Sequence, residues 1–272
     1  MKKKSTTVKK ILNRIGFIII IIALWEVVYL IGVEALGIWK SYTIPSPQGV
    51  WERCVDMFSF DYAGMSIYAA VGASLLRAFI GFLISMIIGA VLGFLISKFN
   101  YLRQNLKPII LGIQTLPSVC WVPFAILWFG LDQSAVIFVI VVGSAFSIAM
   151  AVDNGIQNVD PLYIRAARTM GVSQSQLYFK VIIPAAQPML IAGLKSGWSF
   201  AWRALMAAEM MISMIGLGQI LDAARNIESD INKVTLIMLI IIVIGTVIDR
   251  VIFTNWENSV LRKYGLDRDK KQ

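Results

Sequence analysis

Six long apolar runs separated by short polar segments dominate the hydrophobic pattern of this chain. They cover residues 16–32, 79–97, 109–129, 135–152, 189–208 and 234–253, with boundaries defined to within several residues. Each is close to the roughly 20 residues that a helix needs to cross about 30 Å of hydrocarbon. The runs are continuous and do not alternate as barrel strands do, which excludes a transmembrane β-barrel. The pattern predicts an all-α polytopic membrane protein with six transmembrane helices, and a composition of 58% hydrophobic residues agrees with it.

Charged residues between the runs predict the orientation of the helices. Basic residues concentrate before the first run, between the second and third, between the fourth and fifth, and at the C-terminal end. They are Lys2, Lys3, Lys4, Lys9, Lys10, Arg14, Lys98, Arg103, Lys107, Arg165, Arg168, Lys180, Arg262, Lys263, Arg268, Lys270 and Lys271. By the positive-inside rule, both termini and the segment 153–188 are cytoplasmic. We therefore expect a basic N-terminal tail (1–15), a transmembrane domain (16–253) and a basic C-terminal tail (254–272). The net charge of +9 does not indicate nucleic-acid binding, because the basic residues do not form one stripe.

A cleaved signal peptide is the alternative interpretation of the first run, since basic residues precede it. Trp25 and Glu26 interrupt the apolar core, and no small-x-small cleavage site follows them. We therefore expect an uncleaved first helix that belongs to the membrane domain.

The residue types that are missing also narrow the function. The chain contains no histidine and no Gly-Lys dipeptide, so it cannot form a Walker A loop, a histidine-based zinc site or a Ser-His-Asp triad. Cys54 and Cys120 have neither disulfide nor metal spacing. We expect no catalytic residue, no metal and no cofactor bound by this chain, and any ATP hydrolysis that drives it resides in a separate subunit.

The segment 165–184, RAARTMGVSQSQLYFKVIIP, is a polar, helix-breaking insert between the fourth and fifth runs. Ala166 and Ala167 are small enough for another backbone to approach, Gly171 permits the positive φ that ends a short helix, and Pro184 suits the start of a new one. The segment predicts two short helices joined by a turn, the first over about 161–170. Leu162, Arg165, Ala166 and Thr169 would lie near one face of this helix, and Ile164, Ala167 and Arg168 round the other side.

This insert resembles the EAA loop of bacterial ABC importer permeases, which reads EAA, three residues, Gly, nine residues, I-x-L-P. The matching positions are Ala166, Ala167, Gly171, Val181, Ile183 and Pro184, and Arg165 stands where the family has glutamate. The resemblance implies that Arg165, Ala166, Ala167, Arg168, Gly171 and Pro184 form a coupling loop that docks onto a cytoplasmic ATPase. The alternative is a purely structural role, in which the segment is an amphipathic connection that rests on the membrane surface.

Further segments are similar to permeases of the nitrate, sulfonate and taurine group. They are Ile44-Pro45-Ser46-Pro47, Ser74, Leu75, Arg77, Trp202-Arg203, Ala207-Ala208-Glu209-Met210 and Gly216-Leu217-Gly218. The resemblance implies a type I ABC importer permease fold in a bacterial plasma membrane, with two ATPase subunits that hydrolyse ATP, an extracytoplasmic solute-binding protein and a second permease copy, identical or paralogous. The implied solute is a small anion such as nitrate, a sulfonate or taurine. Related systems carry thiamine-precursor pyrimidines or riboflavin, and no motif decides between these solutes.

Polar and aromatic residues inside the runs are the candidates for a translocation path. The set is Pro117, Trp121, Ser199, Trp202, Arg203 and Glu209. Ser199, Trp202 and Glu209 share one helical face with Lys195 and Met206, because they recur every three or four residues. Pro117 and Pro123 predict a kinked third helix that faces a cavity. Structural alternatives stay open: Arg203 pairing with Glu209 or with a neighbouring chain, and Lys195 and Arg77 extending to the membrane surface.

We also expect the chain to form a dimer, and we consider one alternative class of transporter. Six helices enclose little space, so a polar path between two copies is expected, and Gly81, Gly89 and Gly93 give a small-residue spacing that permits close helix contact. The rival is an ion-coupled secondary transporter, which requires inverted repeats and midplane carboxylates. Glu26 is the one carboxylate well inside a run, which disfavours that class.

Overall fold

The computed structural model describes residues 2–59 and 66–263, and all regular secondary structure within them is helical. The helices are α1 (Lys2–Tyr29), α2 (Pro47–Ser59), α3 (Ile67–Lys98), α4 (Asn100–Gln114), α5 (Val122–Phe129), α6 (Gln133–Gln157), α7 (Pro161–Thr169), α8 (Gln174–Gln176), α9 (Ile183–Met211), α10 (Leu217–Asn226), α11 (Ile231–Ile248) and α12 (Asn255–Lys263). A 3₁₀ turn, Ser118–Trp121, precedes α5, and π-helical turns cover Leu30–Ala35, Leu177–Ile182 and Asp249–Thr254. The chain forms two compact units, residues 1–67 with 220–240 and residues 68–219 with 241–272.

Five of the described helical segments are long and apolar enough to cross a membrane, and a sixth crossing is possible only through a bent pair. That pair is α4 with the segment Ser118–Phe129, and the two halves meet at 99°. The kink that Pro117 and Pro123 predicted in the run 109–129 is therefore present, as a break between two helices. Pro117 cannot donate a backbone hydrogen bond and disfavours helical backbone at the residue before it, so α4 ends and α5 starts afresh with Pro123 in its first turn.

The helices that contain the second and fifth apolar runs are longer than those runs. Helix α3 begins at Ile67, which places Arg77 well inside it. Pro184 lies in the first turn of α9, as the sequence predicted. Helix α9 nevertheless continues without a break from the π-helical turn Leu177–Ile182, so Gln174–Met211 form one helical segment, and Ser173 caps its start.

In the second unit, α6 packs against α3 and α9 through glycines. A Cβ on Gly81 would lie 2.6 Å from Ile140, one on Gly89 would lie 2.6 Å from the carbonyl oxygen of Ala145, and one on Gly93 would meet that of Ala149. The close helix contact that the glycine spacing predicted therefore forms within the chain. These glycines are buried against α6 and do not supply the expected dimer surface.

In the first unit, Ser46 caps the start of α2. Its hydroxyl accepts a hydrogen bond from the backbone N–H of Gly49 at 3.0 Å, and its own N–H donates to Asn232 at 2.9 Å. An ion pair of 2.6 Å joins Arg53 to Asp230. These contacts tie α2 to the start of α11, while most apolar side chains of α1 are exposed.

Candidate functional site

Helix α7 forms where the coupling loop was predicted, and each of its ends is closed by local sequence. Asp160 caps the start, its carboxylate accepting a hydrogen bond from the backbone N–H of Leu162 at 2.8 Å. Gly171 has φ +74° and closes the end, donating to the carbonyl of Arg168 at 3.0 Å. Ser173 and Gln176 then form a capping box that starts the next helix. The glycine therefore occupies the left-handed conformation that the sequence predicted.

The two alanines of the loop have opposite environments. Ala167 is 6% exposed and packs, with half-buried Ile164, on the cluster of Ile156, Val159, Leu177, Ile182 and Ala186. Ala166 and Arg165 are exposed, as are Leu162, Tyr163 and Met170, and Pro184 is half-buried in the next helix. Helix α7 thus rests on α6 and α9 through Ile164 and Ala167, which the helical spacing placed on one side, and presents a mixed apolar and basic face outward. Arg168, which was expected on the side of Ala167, is exposed.

A buried carboxylate beside this loop was missed in the sequence. Asp153 on α6 is fully buried and accepts a hydrogen bond from the ammonium group of Lys107 at 2.7 Å and one from the guanidinium of Arg103 at 3.3 Å. Arg103 also donates to the carbonyl of Ser97. The ends of α3 and α6 are therefore tied to the first two turns of α4. Asp153 directly follows the fourth apolar run, at the start of the segment 153–188 that was expected in the cytoplasm.

The break between α4 and α5 lines a cavity of about 360 Å³. Of the predicted path residues, Pro117, Trp121 and Arg203 line it, together with polar side chains that the sequence did not single out. Its lining is Ile113, Gln114, Thr115, Leu116, Pro117, Ser118, Trp121, Val142, Gly143, Phe146, Ser147, Phe200 and Arg203. Arg203 contributes the one formal charge among these lining residues.

Arg203 is exposed and is shared with a second cavity of about 450 Å³, which Ser199, Trp202 and Asp249 also line. Its Nε donates to the carbonyl of Ser199 at 3.1 Å, and its guanidinium lies 4.7 Å from the centre of the Phe200 ring. Among the side chains that the structure describes, no carboxylate lies within 4 Å of this guanidinium.

Glu209 lies elsewhere, and the suggested Arg203–Glu209 pair is wrong. Glu209 is fully buried and forms an ion pair of 2.6 Å with Arg77, which is itself 5% exposed. Ser74 donates to both carboxylate oxygens, at 2.9 and 2.7 Å, and the N–H of Gly218 donates at 3.1 Å. Arg77 therefore does not extend to the membrane surface, and Glu209 lines neither cavity. This cluster holds the segment after α9 against α3.

Lys195 faces the last helical segment. Its ammonium group lies 3.4 Å from Asp249, 3.7 Å from Glu257 and 3.1 Å from the hydroxyl of Thr254. Asp249 therefore forms an ion pair with α9. Lys195 thus joins α9 to the π-helical turn at the end of α11. In the described part of the chain, no group of three His, Cys, Asp or Glu side chains is arranged to hold a metal ion.

Three comparisons with known proteins bear on this geometry. Residues 81–254 match the family model described as binding-protein-dependent transport system inner membrane component. The chain is 30% identical over 214 residues to the nitrate import permease protein NrtB of Synechocystis sp., covering 77% of this chain and 78% of the relative. It is 27% identical over 257 residues to the bicarbonate transport system permease protein CmpB of the same organism, covering 92% and 87%.

A solved structure supports the fold. A chain of the inward-facing MetNI methionine ABC transporter superposes with a TM-score of 0.62 at 20% identity, covering 70% of this chain and 94% of that one. The helical architecture is therefore that of an ABC importer permease. The capped α7, the membrane helices and the family match over 81–254 lead to one conclusion: this chain belongs to the binding-protein-dependent transport inner membrane component family and is the membrane-spanning permease subunit of an ABC importer.

Proposed function

We propose that this permease imports a small anion and that Arg203 is the group that binds it in the cavity. The observation that carries the proposal is the position of Arg203: an exposed guanidinium shared by two cavities, without a carboxylate partner among the described side chains. A guanidinium binds the oxygens of nitrate, carbonate or sulfonate through parallel N–H donors. The relatives named for nitrate and bicarbonate transport are in keeping with this choice.

Helix α7 is proposed to dock onto a separate ATPase. Its outward face combines Leu162, Tyr163 and Met170, which are 63%, 58% and 82% exposed, with Arg165. Exposed apolar groups of this size beside basic ones suit a protein groove better than water. The buried Ala167 face then carries the movement of the ATPase into α6 and α9.

The proposed assembly contains two permease chains, two ATPase subunits that hydrolyse ATP, and an extracytoplasmic binding protein that delivers the solute. Basic residues at 98–107 and 165–180 support a cytoplasmic position for both termini and for α7. A cysteine at Arg168 should then crosslink to the ATPase and resist labelling from outside intact cells. Labelling of that cysteine from outside would refute the orientation.

Uptake by the complete importer in proteoliposomes tests the anion proposal. Nitrate, bicarbonate and methanesulfonate serve as anionic probes, and riboflavin and a thiamine-precursor pyrimidine represent the alternative solutes. Loss of a charged hydrogen-bond donor costs about 1.5–3 kcal/mol, so Arg203→Gln should raise the KM for the transported anion about tenfold or more. The matched control is Arg225→Gln, because Arg225 is exposed on α10. Equal KM values for the two variants, or ATP-driven uptake of riboflavin alone, would refute the proposal.

A further inference from the structure

The ion cluster at Asp153 connects two parts of the molecule that the transport cycle must move together. Asp153 is fully buried on α6, yet both of its basic partners, Lys107 and Arg103, come from α4. Ile156, one turn further along α6, packs in the same cluster as Ala167 of α7. The cluster therefore stands between the base of the coupling loop and the start of α4.

The other end of α4 borders the cavity. Residues 113–117, at its C-terminal end and in the break that follows, line the 360 Å³ space that contains Arg203. Between the two ends, Ile110 is buried against Met150 of α6 and Ile96 of α3. Helix α4 is thus held to α6 by the charges near its start and by an apolar contact in its middle, while its far end is free to shape the cavity.

A buried carboxylate with two basic partners holds them in a defined position, because moving both partners away would leave its charge buried without compensation. Helices tied in this manner move as one element, which is the physical requirement for coupling between distant sites. We propose that Asp153 is a positioning residue that makes α4 follow the coupling loop, so that the cavity changes shape when α7 moves. This inference rests on the proposed docking of α7 onto an ATPase.

The ratio of solute imported to ATP hydrolysed tests the inference, because a general loss of folding or assembly would lower both quantities. The complete importer is reconstituted in proteoliposomes with the wild-type chain or with Asp153→Asn. Asparagine keeps the shape of the side chain and removes the charge that holds Lys107 and Arg103. We expect hydrolysis to continue and the import-to-hydrolysis ratio to fall about fivefold or more, the lower range of typical coupling between sites.

Asp132→Asn is the matched control, since Asp132 caps the opposite end of α6 and asparagine caps a helix almost as well. Its ratio should equal that of the wild type. A parallel loss of import and hydrolysis in Asp153→Asn, or an unchanged ratio, would overturn the inference. If Asp153→Asn does not assemble, Lys107→Gln takes its place, because Arg103 still compensates the carboxylate and the variant should fold. Its import-to-hydrolysis ratio should also fall, since the shorter of the two ion pairs is lost, and an unchanged ratio would overturn the inference.

A distance measurement separates this inference from the proposed solute. Spin labels at Leu111, which is 48% exposed, and at Thr169, which is exposed at the end of α7, report on α4 and α7 in a chain whose Cys54 and Cys120 have been replaced. In the full complex we expect the distance between the labels to stay the same in the nucleotide-free and vanadate-trapped states. In Asp153→Asn it should differ between the two states. A wild-type distance that changes on trapping would overturn the inference whatever solute is transported.

Discussion

Replacing Glu209 by glutamine should destabilise the permease strongly, because it leaves a buried guanidinium without its counter-charge. The ion pair with Arg77 measures 2.6 Å, and the two side chains are 0% and 6% exposed. Glutamine still accepts hydrogen bonds from Ser74 and Gly218 but cannot neutralise Arg77. Removing one partner of a buried pair costs about 3–5 kcal/mol. At roughly 2 °C per kcal/mol for a chain of this size, the Tm of the detergent-purified protein should fall by about 6 °C or more.

Tryptophan fluorescence during heating measures this shift, and Glu52→Gln is the control. Glu52 is exposed and accepts one hydrogen bond, from Gln48, so its Tm should stay within about 1 °C of the wild type. The double variant Arg77→Met with Glu209→Gln should be more stable than either single variant, since no uncompensated charge remains. Equal Tm values for Glu209→Gln and Glu52→Gln would refute the reasoning. If Glu209→Gln instead lost import at an unchanged Tm, Glu209 would act in the translocation path, as its helical face first suggested.

Three further predictions concern packing and the coupling loop. Gly89→Leu should prevent folding, since its side chain would enter the backbone of α6. Gly72→Leu is the control, because the space around this glycine is open, and it should give the wild-type peak in fluorescence-detected gel filtration. Ala167→Phe should overpack the base of α7 and cost about 1–3 kcal/mol, seen as a lower Tm, while Ala166→Phe on the exposed face should leave the Tm unchanged and weaken co-purification of the ATPase. Gly171→Ala should cost about 1 kcal/mol in the same melting assay, because φ is +74° there; an unchanged Tm would contradict the strain.

The geometry of α7 and of the turn after it was largely predictable, because it depends on neighbouring residues. A capping aspartate, a glycine with positive φ and small residues at fixed spacing act within one or two helical turns. The limit of this local reasoning appears just before Pro184, where the sequence predicted a separate helix start and the structure has a π-helical turn that continues into α9. The wider turn accommodates a proline within a continuous helical segment, which residue preferences alone do not indicate.

The buried ion pair of Arg77 and Glu209 could not be predicted, because its geometry depends on residues that are far apart in the sequence. Arg77 and Glu209 are 132 positions apart, and each alone has the pattern of a charge at a membrane surface. The same applies to Asp153, whose partners lie 46 and 50 positions away. Prolines indicated a kink in the third crossing, but the 99° bend depends on how α5 packs against α6. Pairing between distant helices is set by tertiary packing, and a single sequence carries little information about it.

The glycine contacts between α3 and α6 have a mechanical consequence. Where a backbone touches a neighbouring helix without intervening side chains, sliding or rotation brings main-chain atoms into collision. Helices α3 and α6 are therefore expected to travel as a rigid pair through every stage of transport. Helix α4, which the Asp153 ion cluster and Ile110 hold to α6, is expected to travel with this pair, so any flexing during transport has to lie outside these three helices.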